Sequence, residues 1–205
     1  EIMHAPVYVE NDVNAAAVGA AEFVEHVDGN ATVVFLNFGT GLAAGLVRDG
    51  QAEHGYNGFI GEIGHLPVDP NGFECPCGQR GCLETVASGG AVAKLWPSAN
   101  PPMPDLIRKA RQGDKRANDV LGKVAHGMGD VIQIAAQAYD PQRIIIGGGM
   151  AKTGNDLIEV IQAELSRRAE GCRFLNTLGI ASKIRIAAVD KPIGAIGAAL
   201  AAKRA

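Results

Sequence analysis

The sequence predicts an α/β fold, in which strands and helices alternate along the chain. Two apolar runs, at 32–38 and 143–146, have the length and composition of buried strands. The second run ends in three glycines before a helical segment, a pattern typical of a strand buried on both faces of a parallel sheet. Residues 115–139 carry an apolar stripe at helical spacing. With 205 residues, the chain is long enough to bury a sizeable core.

The first half of the chain is expected to hold one helix between short strands. In order, the predicted elements are a buried strand at 6–9, a helix at 14–27 capped by Asp12 or Asn14, strands at 32–38 and 42–47, and a hairpin-type turn at 48–51. Residues 54–82 are rich in glycine and proline and are predicted to be irregular. So long a loop is implausible in a compact domain unless it is functional or held by a metal ion.

The second half is expected to be mainly helical, with two further strands. In order, the predicted elements are a helical segment at 83–95 in one or two pieces, a proline-rich surface loop at 97–104, a short helix at 104–112, the long helix at 115–139, a strand at 143–146, a helix at 155–170, a strand at 184–188 and a final helix at 193–203.

The composition argues against several functional classes. Hydrophobic residues make up 47% and charged residues 20% of the chain, as in an ordinary globular protein. The net charge of −3 argues against a nucleic-acid-binding surface. No apolar run approaches the roughly 20 residues that a membrane span needs. The few cysteines fit a reducing cytoplasm. Because the chain begins at Glu1 without methionine, we expect a fragment of a longer protein.

Three cysteines lie within eight residues, at Cys75, Cys77 and Cys82, and His65 precedes them. Thiolates separated by glycine and proline turns can converge on one ion, and three sulfurs with one nitrogen suit tetrahedral Zn²⁺. A strained disulfide and incidental thiols are the alternatives, although a C-x-C bridge has poor geometry. Glu62 and Glu84 flank this loop without being needed as ligands. Their placement indicates a loop held rigid so that these carboxylates can bind a polar molecule.

Two glycine-rich turns are candidates for binding phosphate or nucleotide. Gly39, Thr40 and Gly41 join two predicted strands, and glycine lets backbone amides approach an anion closely. Gly147, Gly148 and Gly149 follow a strand and precede a helix, where α/β sheets usually bind nucleotides. A plain hairpin and ordinary strand-to-helix packing are the alternatives for the two turns.

Asn11 and Asp12 lie at another strand-to-helix junction. A carboxylate next to an amide can hold a pair of sugar hydroxyls, and Asp12 can accept a hydroxyl proton. The alternative is a polar turn that caps a helix.

Taken together and in this order, five motifs resemble the ROK family of repressors, open reading frames and sugar kinases. They are Glu10-Asn11-Asp12-Val13-Asn14, Gly39-Thr40-Gly41, Gly61-Glu62-Ile63-Gly64-His65, the cysteine segment from Cys75 to Glu84, and Ile146-Gly147-Gly148-Gly149. The resemblance implies an actin-like, hexokinase-type ATPase fold. Residues 1–205 would be its large C-terminal lobe with a zinc-stapled loop, and the N-terminal lobe would be absent.

The resemblance also implies roles for single residues. These are Asp12 as catalytic base; Asn11, Asp12, Glu62, His65 and Glu84 as sugar ligands; His65, Cys75, Cys77 and Cys82 as ligands of a structural Zn²⁺; and Gly39, Thr40, Gly41, Gly147, Gly148 and Gly149 as parts of the ATP site. Ala43 and Ala44 stand where the family usually has a glycine pair.

The implied activity is phosphoryl transfer from ATP, with Mg²⁺, to a hydroxyl of a hexose or N-acetylhexosamine. A homodimer or homotetramer is expected. The chain alone is expected to be inactive, since the first phosphate loop would lie on the absent lobe. One alternative is the sugar-sensing lobe of a transcriptional regulator of the same family, which would bind nucleic acid through a domain outside this chain. Another is a zinc-stapled binding module without catalysis.

Overall fold

A five-stranded mixed sheet forms the centre of the computed structural model, which describes residues 7–24 and 31–204. The strands are β1 (Thr32–Phe38), β2 (Leu42–Arg48), β3 (Gln51–Ala52), β4 (Arg143–Gly147) and β5 (Ile184–Ile186). They lie in the order β3-β2-β1-β4-β5. The first three strands form an antiparallel meander, whereas β4 is parallel to both β1 and β5. The carboxyl ends of β1, β4 and β5 therefore share one edge of the sheet.

Nine helices are present in the described part of the chain. They are α1 (Asp12–Ala21), α2 (Glu84–Ala87), α3 (Gly89–Leu95), α4 (Pro102–Arg111), α5 (Lys115–Tyr139), α6 (Asn155–Ala169), α7 (Arg173–Leu178), α8 (Ile180–Lys183) and α9 (Ile193–Arg204). Single turns of 3-10 helix cover Ile63–His65 and Gly149–Thr153. Within the residues described, no helix has both the length and the apolar character to cross a bilayer.

The two faces of the sheet bury separate cores. Because side chains alternate along a strand, Val33 and Phe35 of β1 pack with α1 and with Ala187, whereas Val34, Leu36 and Phe38 face the other side. On that second side lie the apolar stripe of α5 and the buried residues of α6. Ile144, Ile145 and Ile146 of β4 have no exposed surface, which confirms the prediction of a strand buried on both faces.

Helices α1 and α9 cross in direct backbone contact over the first face. A Cβ atom on Gly19 would lie 1.9 Å from the carbonyl oxygen of Ile193, and one on Gly197 would lie 1.7 Å from that of Ala15. Only glycine fits at these two positions. Helix α1 also packs on β2, where a Cβ atom on Gly45 would lie 2.5 Å from that of Ala17. The start of α1 is therefore held against the sheet.

Most of the predicted elements are confirmed. The predicted strands at 32–38 and 42–47, the long helix at 115–139 and the helices at 155–170 and 193–203 agree with the structure to within one or two residues. The segment at 83–95 forms two helices, because Ser88 leaves the helical conformation and its hydroxyl caps α3. Helix α1 begins two residues earlier than predicted and ends at Ala21, so the prediction of helix at 22–24 is wrong; the rest of the predicted end, at 25–27, lies outside the described residues.

The strand predicted at 6–9 is wrong for the residues that are described there. Val7 and Val9 are 70% and 85% exposed, and the segment pairs with no described strand. An apolar run alone does not supply the partner that its backbone groups need. Helix α4 begins at Pro102 instead of residue 104, and β5 ends at Ile186 instead of residue 188. Helices α7 and α8 were not predicted. These last two helices have only six and four residues, too few for their apolar residues to show helical periodicity in the sequence.

An ion-pair cluster joins α5 to α6 beside the second core. The carboxylate of Glu164, only 8% exposed, accepts hydrogen bonds of 2.7 Å from both Arg167 and Arg168. Arg168 also donates to Asp130 at 2.7 Å. Burial by itself raises the pKa of Glu164, but the hydrogen bonds from the two arginines outweigh it and lower the pKa to about 2.

We predict that Glu164 stabilises the fold in a pH-dependent way. Since its folded pKa of about 2 lies below the ordinary value of 4.5, its contribution is full above pH 4.5 and is lost as the pH falls towards 2. Glu164→Gln imitates the protonated form. The difference in unfolding free energy between wild type and variant, measured by denaturant titration, should therefore shrink across this window. Glu159→Gln, in an exposed ion pair on the same helix, should have little effect at any pH. A difference for Glu164→Gln that stays constant from pH 5 to pH 2 would contradict the assignment.

Candidate functional site

The turn at residues 39–41 is enclosed by backbone from the start of α3. The amide of Gly89 donates to the carbonyl of Gly39 at 2.7 Å, and that of Gly90 donates to the carbonyl of Thr40 at 3.2 Å. A Cβ atom on Gly90 would lie 2.4 Å from the oxygen of Thr40. The turn therefore depends on two glycines that are 50 residues away from it. The side chain of Thr40 itself is exposed.

The second glycine turn packs directly against the first. Gly148 has φ of +77°, and a Cβ atom there would lie 2.4 Å from the carbonyl carbon of Phe38 and 2.6 Å from the amide nitrogen of Gly39. A Cβ atom on Gly147 would lie 2.2 Å from the ring of Phe35, whereas Gly149 has open space around it. The two turns predicted to bind ATP thus meet at one edge of the sheet. A cavity of about 260 Å³, lined in part by Gly147, Gly148 and Lys152, opens beside them.

Glu84 links the cysteine loop to the first turn. It is the first residue of α2, and its Oε2 accepts a hydrogen bond of 2.8 Å from the amide of Leu42, the residue after the turn. A Cβ atom on Gly41 would lie 2.8 Å from the same oxygen. Glycine at this position therefore leaves room for the carboxylate, and Oε1 of Glu84 is not part of this bond.

Residues 61–65 run along β2 in equally close contact. The amide of Ala44 donates to the carbonyl of Gly61 at 2.7 Å. A Cβ atom on Gly61 would lie 1.9 Å from the oxygen of Ala44, and one on Gly64 would lie 2.0 Å from the oxygen of Leu42. These two glycines place Glu62 in an exposed position and His65 in a half-buried one.

Asn11 and Asp12 begin α1, which packs on the same strand. The Oδ1 atom of Asn11 accepts hydrogen bonds from the amides of Val13 at 2.9 Å and Asn14 at 3.2 Å. Asn11 is thus the N-cap, where Asp12 or Asn14 was predicted, and its amide nitrogen takes no part in the capping bonds. Asp12 is exposed, and its Oδ1 accepts from the amide of Val13 at 2.9 Å. All five residues predicted to bind sugar therefore lie on segments packed around β2.

The predicted cysteine and histidine ligands form one cluster. The ligand atoms of His65, Cys75, Cys77 and Cys82 all lie within 4.8 Å of one another. Nδ1 of His65 is 3.7 Å from Sγ of Cys75, and the Sγ atoms of Cys77 and Cys82 are 3.7 Å apart. A tetrahedron with Zn–S bonds of about 2.3 Å has edges of about 3.8 Å, so the donor set and these two distances fit a Zn²⁺ ion. No disulfide joins these cysteines.

The environment of the thiols also favours a cation. A backbone hydrogen bond with Gln79, together with one from its side chain, lowers the pKa of the Cys77 thiol to about 6. Burial, followed by hydrogen bonds with Cys75 and Cys77, raises the pKa of the Cys82 thiol to about 12. Ionisation of Cys77 therefore disfavours ionisation of Cys82. A divalent cation would remove this conflict, because it stabilises every coordinated thiolate.

Sequence reasoning missed three residues that build the site. Gly89 and Gly90 enclose the first turn, and Gln79 bonds to the carbonyl of His65 at 2.9 Å and to Sγ of Cys77 at 3.5 Å. A glycine pair directly after a capping serine is a poor start for a helix on propensity alone. That conflict between the local sequence and the predicted helix is the signal that points to a close backbone approach.

Comparison with known proteins shows the family to which this chain belongs. A sequence model of the ROK family matches residues 1–205, and the chain belongs to this family. Its fold is that of ROK hexokinases: the hexokinase of Thermus thermophilus superposes with a TM-score of 0.73 at 31% identity, over 96% of this chain and 64% of that one. A ROK glucokinase from Streptomyces griseus, in complex with glucose and AMPPNP, gives 0.75 at 28% identity, over 100% and 70%.

The curated relatives include both enzymes and regulators. The chain is 34% identical to a glucokinase of Halalkalibacterium halodurans, over 94% of this chain and 62% of the relative. It is 31% identical to the transcriptional regulator NagC of Escherichia coli, over 79% of this chain and 43% of the relative. The chain thus spans less than two thirds of the length of either protein.

We predict opposite effects for two glycine-to-alanine substitutions in helices. Gly90→Ala places a methyl group against the carbonyl of Thr40 and should cost about 2 kcal/mol of unfolding free energy, as overpacking does. Gly122→Ala, in α5, should stabilise by up to about 1 kcal/mol, because the new Cβ would meet no atom within 4 Å beyond the adjacent backbone of its own helix. Denaturant unfolding measures both variants. A Gly90→Ala variant as stable as Gly122→Ala would show that the turn does not depend on this approach.

Proposed function

We propose that the chain is the lobe of a ROK sugar kinase that holds the sugar and part of ATP. The reaction is transfer of the γ-phosphoryl group from MgATP to a hydroxyl of a hexose or N-acetylhexosamine. The similarity of the chain to three glucokinases supports phosphorylation of a sugar as the reaction. A second lobe outside this chain would contribute the first phosphate loop and close the cleft, so the chain alone would not turn over ATP.

The observation that carries the proposal is the construction of the two glycine turns. They pack against each other, and the close approach of Gly90 and Gly148 to the first turn leaves no room for a side chain at these two positions. The backbone amides of such a glycine turn suit the phosphates of ATP, with the exposed Thr40 offering its hydroxyl as a further donor. Mg²⁺ would enter with the nucleotide and neutralise its developing charge.

Asp12 is proposed as the base that orients the sugar hydroxyl and accepts its proton. An exposed carboxylate at the start of a rigidly packed helix can fill this role when the proton moves late in the reaction. Asn11 would contribute its amide nitrogen, and Glu62 its carboxylate. Glu84 would contribute Oε1, since its Oε2 already accepts from Leu42.

The cysteine and histidine cluster is proposed to hold a structural Zn²⁺. Four protein ligands would leave no open position for catalysis, so the ion would serve to fix residues 61–84. With Nδ1 of His65 towards the sulfurs, Nε2 would be the nitrogen that reaches a sugar hydroxyl. Such a site fits the cytoplasm, where thiols stay reduced. The homodimer or homotetramer stays a prediction.

A sugar-sensing lobe of a regulator is the second candidate. The similarity to NagC supports it, as does a ROK regulator structure that superposes with a TM-score of 0.71 at 28% identity. Both candidates need the sugar ligands and the cysteine loop. Only the kinase needs Asp12 as a base and an open phosphate turn, and for this reason we favour the kinase.

We predict that Asp12→Asn in the full-length protein abolishes phosphorylation while sugar affinity stays within about tenfold. Asparagine keeps the hydrogen-bonding shape but accepts no proton, so the loss should appear in kcat. A coupled ADP assay and calorimetry with glucose and N-acetylglucosamine measure the two effects.

Asp49→Asn, the same change in an exposed turn, is the control and should leave both values unchanged. If Asp12→Asn keeps most of its turnover, Asp12 is not the base. A wild-type protein that binds hexose but produces no hexose-dependent ADP would favour the regulator.

We predict that one Zn²⁺ binds per chain and that Cys77→Ser releases it. Because Cys77 is an exposed member of the cluster, serine at this position should be tolerated sterically. Residues 61–84 should then loosen, and hexose binding should weaken although Cys77 is not a proposed sugar ligand. Metal analysis and calorimetry measure both effects. Cys172→Ser, outside the cluster, should keep the metal, and a zinc content near zero in the wild type would refute the site.

A further inference from the structure

Glu10 is a nearly buried carboxylate that directly precedes the proposed sugar ligands Asn11 and Asp12. Its side chain is 6% exposed. Oε1 accepts from the amide of Asn11 at 2.8 Å and from the side-chain amide of Asn14 at 3.3 Å. Oε2 accepts from the hydroxyl of Tyr8 at 3.2 Å. These bonds fix the backbone from which Asn11 and Asp12 project.

The remaining partner of Glu10 comes from a different part of the chain. Nε2 of His54 lies 2.8 Å from Oε2 and 3.1 Å from Oε1, so it faces both oxygens of the carboxylate. His54 follows β3 and begins the irregular segment that leads to Glu62 and His65. The contact therefore joins the two segments that carry four of the five proposed sugar ligands.

Glu10 is poorly placed to be a sugar ligand itself. Its two oxygens already accept from four residues, and little of the side chain reaches solvent. A cavity of about 160 Å³ beside it is lined by Tyr8, Glu10, Val18, Gly50, Gln51, Ala52, His54 and Ala201. His54 is the one basic residue among these lining residues.

The ionised form of Glu10 is favoured within this set of donors. Burial raises the pKa of Glu10, but the hydrogen bonds from His54, Asn11 and Asn14 outweigh it and hold the pKa below its ordinary value. An ionised carboxylate accepts from all four donors at once, and hydrogen bonds to a charged group are the strong ones.

We propose that Glu10 and His54 form a positioning pair that fixes the two sugar-binding segments relative to each other and thereby sets hexose affinity. Neither residue touches the sugar or the nucleotide. The inference rests on the proposed function, because it takes Asn11, Asp12 and Glu62 as sugar ligands. The pair does not contact the two glycine turns, so ATP recognition is independent of it.

The test compares His54→Ala with His54→Gln in the full-length protein. Alanine removes the donor, and hexose affinity should fall about tenfold, the cost of one hydrogen bond to a charged group. Glutamine offers an amide N–H at a similar reach and should restore affinity to within about threefold of wild type. Calorimetry with glucose and N-acetylglucosamine gives the affinity, and steady-state kinetics gives KM for the sugar and for ATP.

The matched control is His126→Ala. His126 also lies against carboxylates, at 3.6 Å from Asp130 and 3.4 Å from Glu164, but on α5. It should leave sugar affinity unchanged. A merely structural role for His54 would raise KM for ATP and for sugar together and would not be rescued by glutamine. If His54→Ala does not fold, Glu10→Gln takes its place, because glutamine keeps one acceptor oxygen and loses the charge. This variant should likewise bind sugar more weakly while KM for ATP stays unchanged.

Each outcome decides between the inference and the proposed function. Wild-type sugar affinity in His54→Ala, or an equal loss of ATP and sugar recognition, overturns the positioning pair and leaves the proposed function intact. If His54→Ala loses only sugar affinity and His54→Gln restores it, the positioning pair is supported. This holds even if the wild-type protein binds sugar without phosphorylating it. A wild-type protein that binds no hexose overturns both.

Discussion

The close approach of backbone to the turn at 39–41 is the constraint on which the rest of the site depends. Helix α3 contacts it through Gly89 and Gly90, and the loop after β4 contacts it through Gly148. At the distances observed, a single methyl group at Gly90 or Gly148 would overlap backbone atoms. The turn is consequently held by backbone on these sides, and the carboxylate of Glu84 lies beside Gly41. Such a surface can offer its amides to an anion without reorganising when the anion arrives.

The same turn links the proposed phosphate site to the proposed sugar site. Glu84 accepts a hydrogen bond from Leu42 and stands at the end of the cysteine loop, while residues 61–65 pack on β2 immediately beyond the turn. A change in the cysteine loop can therefore reach the turn through one hydrogen bond. This arrangement would suit the proposed kinase, which must hold a hydroxyl and a phosphate at a fixed separation, and it would equally suit a sensor that transmits sugar binding.

The sequence could predict the features that depend on local pattern. The strands at 32–38 and 143–146 and helix α5 have clear periods, and the cysteines and His65 lie close enough along the chain for their spacing to indicate a cluster. The features it could not predict depend on distant partners. The contact between Glu10 and His54 spans 44 residues. The run at 6–9 was mistaken for a strand because apolar composition does not show whether a partner strand is present.

Three consecutive residues, Cys82, Leu83 and Glu84, belong to three different environments. The first is a member of the cysteine cluster, the second is completely buried in the core, and the third bonds to the amide of Leu42. Because the three residues are consecutive, none can be moved along the chain without misplacing the other two. Insertions and deletions between positions 82 and 84 should therefore be poorly tolerated. In natural variants of this protein, we expect differences in length to collect elsewhere.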